Sequence, residues 1–265
     1  MSTIRNGYAD TLHGQIHYRQ LRQVDQPVLI LLHQTASSGQ MFERLMTLLA
    51  RDFHTIAPDT PGFGNSFLPP EGFTIEFLAS SLYAALKALG FTSCYIFGHH
   101  TGAAIAVQMA YTQPEFVQKV VLSGPPLLNE AQKDRLKASL KPIELVEDGA
   151  HLTAVWHRIR QRDPSLPLEI VHREVLLTQM AHRVAQRAYQ AVFEQPIGQQ
   201  LSALQQPTLI ISGEYDTLRD SAEPAYSLLE NGQICMIPGA GPYLCDQNAS
   251  EVAQILRTFL IETVE

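Results

Sequence analysis

Apolar and polar positions alternate along the chain in two registers, and the switches between them mark out its elements. Residues 7–22 alternate with a period of two around Gly14, as Tyr8-Ala9-Asp10-Thr11-Leu12 and then Gln15-Ile16-His17-Tyr18-Arg19, which predicts an antiparallel hairpin at a sheet edge. Pro27-Val28-Leu29-Ile30-Leu31-Leu32-His33 is apolar without alternation, as a strand covered on both faces must be. A polar loop from Gln34 to Gly39 leads into a helical period from about Met41 to Ala50. His54-Thr55-Ile56-Ala57-Pro58-Asp59 reads as a short strand, and Thr60 to Ser66 as a turn-rich loop. Thr74 before a periodic stretch to Leu89, with Gly90 after it, has the signature of a capped helix.

The second half repeats the alternation of strand and helix, with one interruption. Cys94-Tyr95-Ile96-Phe97 is strand-like and gives way to a helix from Ala103 to Ala110, and Lys119 to Ser123 is another buried strand that ends at Gly124-Pro125-Pro126. From there to Gln195 the period is helical and the charge content higher, with segments at 130–140, 151–162, 168–179 and 182–193. Strands return at Pro207 to Ser212 and at Gln233 to Pro238, separated by a helix over 222–230, and a helix from Ala249 to Ile261 follows. Strands alternating with helices imply a mostly parallel, doubly wound sheet of the α/β class, with residues 125–195 forming a helical cap between residues 1–124 and 196–265 of the core.

Composition narrows the field of partners. The 265 residues are 45% hydrophobic, enough for one large domain with an insertion. A net charge of -7 without a basic block argues against nucleic acid or an anionic membrane and for a small-molecule partner. Three scattered cysteines, Cys94, Cys235 and Cys245, suit a reducing compartment. The segment Met1 to Gly7 lacks the apolar core of a signal peptide, and no apolar run approaches the roughly 20 residues of a membrane span, so a soluble, cytoplasmic protein is expected. A homodimer is compatible with this reading.

The candidate chemistry sits at Phe97-Gly98-His99-His100-Thr101-Gly102-Ala103. Two glycines four apart, between a strand and a helix, allow a sharp turn that holds the middle residue at the top of the sheet. This is the geometry of a nucleophile elbow, Gly-x-Ser-x-Gly, with an imidazole, His100, where the hydroxyl normally stands.

At this point the layout resembles the α/β-hydrolase fold family over nearly the whole chain. Four stations match in order: the apolar strand ending in His33, the loop Asp59 to Ser66, the elbow, and Gly213-Glu214-Tyr215-Asp216 after the penultimate strand. The resemblance implies an eight-stranded sheet with a helical cap after the sixth strand. It places the acid of a catalytic triad on Asp216 and oxyanion donors on the N–H groups of Thr35 and Thr101. Two departures accompany it. Pro242 stands where the family has its histidine base, and Gln34 stands where a glycine commonly follows His33.

Together the substitutions suggest a dyad in which Asp216 orients His100 and His100 acts as base. The reaction expected first is water activation on an ester, lactone or other acyl compound, since most members of the family it resembles hydrolyse something; proton removal from carbon in an elimination or isomerisation, direct attack by imidazole, and a silent binding protein that keeps the pocket are the alternatives. Gln34, His33 and His99 are placed with Thr35 and Thr101 as oxyanion or substrate-binding residues. His33, His99, His100 and Asp216 also invite a metal reading, but neighbours on a strand end point in different directions, so neither metal nor cofactor is expected. Cys245 is a weaker candidate for a relocated nucleophile, and any of His151, His157, His172 and His182 on the cap could face the pocket.

Overall fold

The computed structural model describes residues 3–261; Met1, Ser2 and residues 262–265, counted with the core above, lie outside the described residues. An eight-stranded sheet runs in the order β1-β2-β4-β3-β5-β6-β7-β8. Its strands are β1 (Arg5–Thr11), β2 (Gly14–Leu21), β3 (Val28–Leu32), β4 (His54–Pro58), β5 (Cys94–His99), β6 (Val117–Ser123), β7 (Thr208–Gly213) and β8 (Gly232–Ile237). The hairpin of β1 and β2 is antiparallel and joins β4 antiparallel; every pairing from β4 to β8 is parallel.

The continuous apolar strands are covered on both sides, and consecutive residues serve opposite faces. In β3, Ile30 and Leu32 join one hydrophobic core while Leu29 and Leu31 join the other. Val120 and Leu122 of β6 are likewise separated from Val121, and Ile210 of β7 from Leu209 and Ile211. The first core is closed mainly by α2 (Ile75–Ala88) and α3 (Thr101–Thr112), the second by α1 (Glu43–Leu48) and α11 (Ala249–Ile261). Thr74 caps α2 by accepting from the Phe77 N–H at 3.1 Å, as its position predicts.

Among the described residues five helices lie between β6 and β7, and the first four make up the insert: α4 (Glu130–Ser139), α5 (Ala150–Arg162), α6 (Leu168–Met180) and α7 (Ala185–Glu194). Val155 and Ile159 of α5 pack with Val171 and Val175 of α6 in a small core of their own, to which the loop after β8 contributes Tyr243. Two short helices, α8 (Ile197–Ser202) and α10 (Leu244–Gln247), fall in stretches with no predicted element. The helix expected over 222–230 is only α9 (Ala222–Tyr226), because Leu228 and Leu229 bond back three residues, to Ala225 and Tyr226, in tightening turns that carry the chain into β8. Among the described residues no helix is long and apolar enough to cross a membrane.

Candidate active site

The strand-to-helix turn is tighter than the sequence pattern implied: β5 ends at His99 and α3 begins at Thr101, so His100 alone makes the corner. Its φ of 49° and ψ of -109° are strained for a residue with a side chain, at a cost of about 1–3 kcal/mol. Three backbone bonds hold it there: its N–H donates to the Ser123 carbonyl at 2.9 Å, and its own carbonyl accepts from Ala103 and Ala104. The flanking glycines make room for the corner. A Cβ on Gly98 would lie 2.2 Å from the Gly102 carbonyl oxygen, and one on Gly102 would lie 2.0 Å from that of Leu32 in β3.

The His100 ring reaches Asp216, which follows β7 and turns back on the Gly213 carbonyl. His100 Nε2 lies 2.9 Å from Oδ2 and 3.0 Å from Oδ1. The Asp216 side chain has no exposed surface, whereas 13% of the His100 side chain remains accessible. Burial alone would raise the Asp216 carboxyl. The charge and hydrogen bond of His100, with help from His99 and the Leu218 N–H, hold it well below the usual carboxylate range. An ionised acceptor keeps the proton on Nε2 and leaves the lone pair on Nδ1. Covalent geometry puts Nδ1 one bond further from the backbone than a serine hydroxyl on the same corner would be.

The remaining site residues divide sharply. Thr35 and Thr101 do meet: their hydroxyls are 2.8 Å apart, and the Thr35 N–H reaches the Thr101 Oγ1 at 3.4 Å. The Thr101 N–H, in the first turn of α3, has no intrahelical partner. Gln34 borders the cavity beside His100, and its carbonyl accepts from the Ser37 N–H.

His33 and His99, expected at the substrate, are turned away from it. His33 is buried, with Nδ1 donating to the Gln34 carbonyl and Nε2 accepting from the Thr60 N–H, and burial lowers its pKa. His99 is fully buried, its Nε2 3.0 Å from the Pro242 carbonyl and its Nδ1 2.9 Å from the Ser123 hydroxyl. Burial, reinforced by the neighbouring His100 charge, drives it to about 3, so it is neutral. Its ring stacks on that of His100 at 4.0 Å between centroids.

The position vacated by a base histidine is therefore an anchor, the Pro242 carbonyl holding His99. With every nitrogen of His33 and His99 engaged, the imidazoles do not converge, and among the described residues no cluster of three metal-ligating side chains forms. Cys245 is completely buried and burial raises its thiol well above the ordinary value, which removes it as a nucleophile.

Two contributors were missed by sequence reasoning. Gly124, read only as the end of a strand, has φ +57°, and a Cβ there would lie 2.7 Å from His100 Cδ2 and 2.9 Å from Nε2; its bareness is what lets the ring lie across it. A Gly-Pro-Pro break was the only available signal. Tyr189 of α7 donates its hydroxyl to the Thr35 carbonyl at 3.2 Å, and nothing in the helical period distinguished it from its neighbours.

A chamber of ≈ 100 Å³ opens beside His100 and Thr101, walled by Leu136 and Leu140 of the insert and by Tyr189 and Phe193 of α7. It shares Gln34, Thr35, Ser139, Leu140, Arg162 and Tyr189 with a second chamber of ≈ 230 Å³ under α5 and α6. Of the histidines on the insert, His182 borders this second chamber, while His157 and His172 are exposed on the outer surface. The smaller chamber is mainly apolar and the larger one is lined by polar and charged side chains as much as by apolar ones, a pairing that suits a small molecule with a polar end.

Comparison with known proteins sets this geometry in context. The family model for the alpha/beta hydrolase fold matches residues 27–249. A haloalkane dehalogenase of Bradyrhizobium diazoefficiens is 31% identical over 110 residues, which cover 42% of this chain and 36% of that protein. A 2-(acetamidomethylene)succinate hydrolase of Mesorhizobium japonicum is 29% identical over 143 residues, covering 53% and 50%. The alignment thus spans half or less of each relative's own length. The solved structure of an E-2-(acetamidomethylene)succinate hydrolase superposes with a TM-score of 0.83 at 21% identity, covering 98% of this chain and 100% of that one, a likeness of fold.

Proposed function

The chain belongs to the alpha/beta hydrolase fold family, and we propose that it hydrolyses a small ester, lactone or other acyl compound with a His100–Asp216 dyad in place of a serine triad. The observation that carries this reading is the Asp216 carboxylate 2.9 Å and 3.0 Å from His100 Nε2, on a ring held at the elbow and bordering the smaller chamber. The insert of residues 125–195 serves as the cap that closes the substrate in.

In the reaction the Nδ1 lone pair of His100 takes a proton from water as the water oxygen bonds to the acyl carbon. The charge then on the imidazolium is balanced by the Asp216 carboxylate, which stays ionised. The negative charge that develops on the acyl oxygen meets the Thr101 N–H and the Thr35 N–H, the latter once the Thr101 hydroxyl has turned aside. Collapse of the tetrahedral species breaks the bond to the leaving group, which takes the proton back from Nδ1. No covalent bond to the protein forms along this path.

A second reading, a ligand-binding protein without turnover, is favoured by one observation. The Thr101 hydroxyl already sits against the Thr35 N–H, so one oxyanion donor is internally occupied. Turnover of an ester and lactone panel by wild type, His100→Ala and Asp216→Ala separates the two. Hydrolysis requires a rate that depends on a single ionisation and falls about 10²–10⁴-fold in both variants; identical background rates in all three support binding alone. Incorporation of oxygen from labelled water into the acid product distinguishes hydrolysis from proton abstraction at carbon.

A further inference from the structure

The larger chamber carries charge that the dyad does not use. Arg158 and Arg162 lie one turn apart on α5, on the side of the helix that borders the chamber, and Arg162 also borders the chamber of His100. Like charges at this spacing repel. Burial and the Arg162 charge both work against the charge on Arg158, which is half-buried beside Tyr189 and Tyr243. Among the described residues neither guanidinium has a hydrogen-bond or carboxylate partner.

The other charged groups of the chamber do not relieve this. Glu174, the acid bordering it, is engaged by Arg173 Nε at 2.9 Å and by the Ser37 hydroxyl at 3.0 Å, and Arg173 in turn grips Asp246 with both its terminal nitrogens. Lys141 adds a third cation from the segment after α4, and His182 commits its Nδ1 to the Gln179 carbonyl. The unpartnered, half-buried guanidinium of Arg158, with the exposed Arg162 beside it adding like charge, represents a cost to the fold unless a ligand of opposite charge offsets it.

We propose that Arg158 and Arg162 form a carboxylate-binding subsite, and that the substrate is an acyl compound bearing a free carboxylate a few bonds from its reacting carbon. The planar, five-donor guanidinium matches a carboxylate in two parallel bonds. Because Arg162 borders both chambers, a carboxylate held there points the far end of the same molecule toward His100 and Thr101. This specificity builds on the hydrolytic reading, but the subsite itself exists whether or not His100 turns substrate over.

The test therefore uses a variant that cannot turn over. His100→Ala, with folding checked by melting temperature, is titrated calorimetrically with succinate, glutarate and adipate, with their neutral diamides, and with inorganic phosphate. The subsite predicts that at least one dicarboxylate binds about tenfold or more tightly than its diamide, that Arg158→Gln in the same background removes most of that difference, and that Arg158→Lys retains part of it. Equal affinity for dicarboxylate and diamide, or a preference unaffected by both Arg158→Gln and Arg162→Gln, overturns the proposal. Phosphate binding as tightly as the best dicarboxylate overturns the assignment to a carboxylate. In the wild type, a monomethyl dicarboxylate ester preferred over the dimethyl ester supports subsite and hydrolysis together. Binding by His100→Ala without any wild-type turnover leaves the subsite standing and removes the hydrolase reading.

Discussion

At the scale of single residues, the account turns on which nitrogen of which histidine is free. Of His33, His99 and His100, only His100 borders the chamber and keeps a ring nitrogen without a hydrogen-bond partner, because Thr60 and Gln34 engage the first and Ser123 and Pro242 the second. Position at the elbow and at the end of β7 made His100 and Asp216 legible. The commitments of His33 and His99 depend on loops remote in sequence and could not be read. Restoring the usual hydroxyl is accordingly expected to fail: His100→Ser should be as inactive as His100→Ala in kcat/KM, since no free imidazole lies beside the new side chain, and mass spectrometry should find no acyl-enzyme. Gly124→Ala should push the ring from Asp216, lowering kcat/KM by about 10²-fold. The left-handed backbone at that position should cost a further 1–2 kcal/mol or so in stability, checked by steady-state kinetics and urea titration.

At the scale of elements, the strand–turn–helix of β5 and α3 is the rigid part of the site. Strand periodicity made β3, β5, β6 and β7 readable, because burial on both faces demands unbroken apolar runs. The onset of α3 was placed two residues late, since Thr101 and Gly102 are poor helix signals and only the corner at His100 forces the helix to begin there. Helices α8 and α10 were invisible because they are too short to show a period. The closeness of α3 to β3 gives a direct expectation. Gly102→Ala should destabilise the fold by about 3 kcal/mol, read as a lower urea midpoint at unchanged slope, because the new methyl meets the Leu32 backbone carbonyl, which cannot move without disturbing the sheet.

At the scale of the whole molecule, the mostly parallel sheet followed from alternation of elements, but its strand order and the inward face of the insert did not. Nothing in the sequence singles out Arg158 and Arg162, and it is the packing of α5 over the loop after β8 that sets them beside a cavity. Buried neutral histidines also give the molecule a pH signature. Burial lowers the fully enclosed His33 and His99 below the ordinary 6.5, the latter to about 3. The unfolded chain binds protons at these rings as pH falls below 6.5, whereas folded His99 does not until near pH 3. Stability is therefore complete above pH 6.5 and is lost on acidification, by about 1.4 kcal/mol per pH unit for each ring that stays neutral. The depressed carboxyls of Asp59 and Asp216 add to the loss only at lower pH, below their ordinary 3.8. Melting temperature should drop by several degrees between pH 7 and 5.5, and His99→Gln should flatten that slope.

The most direct test of the central claim is kcat/KM for the best substrate of the ester and lactone panel, compared between wild type and His100→Ala at neutral pH. A base at the elbow predicts measurable wild-type turnover that falls by about 10²-fold or more in the variant. Turnover that survives the loss of the imidazole, or a wild type no faster than the buffer on every member of the panel, would contradict it.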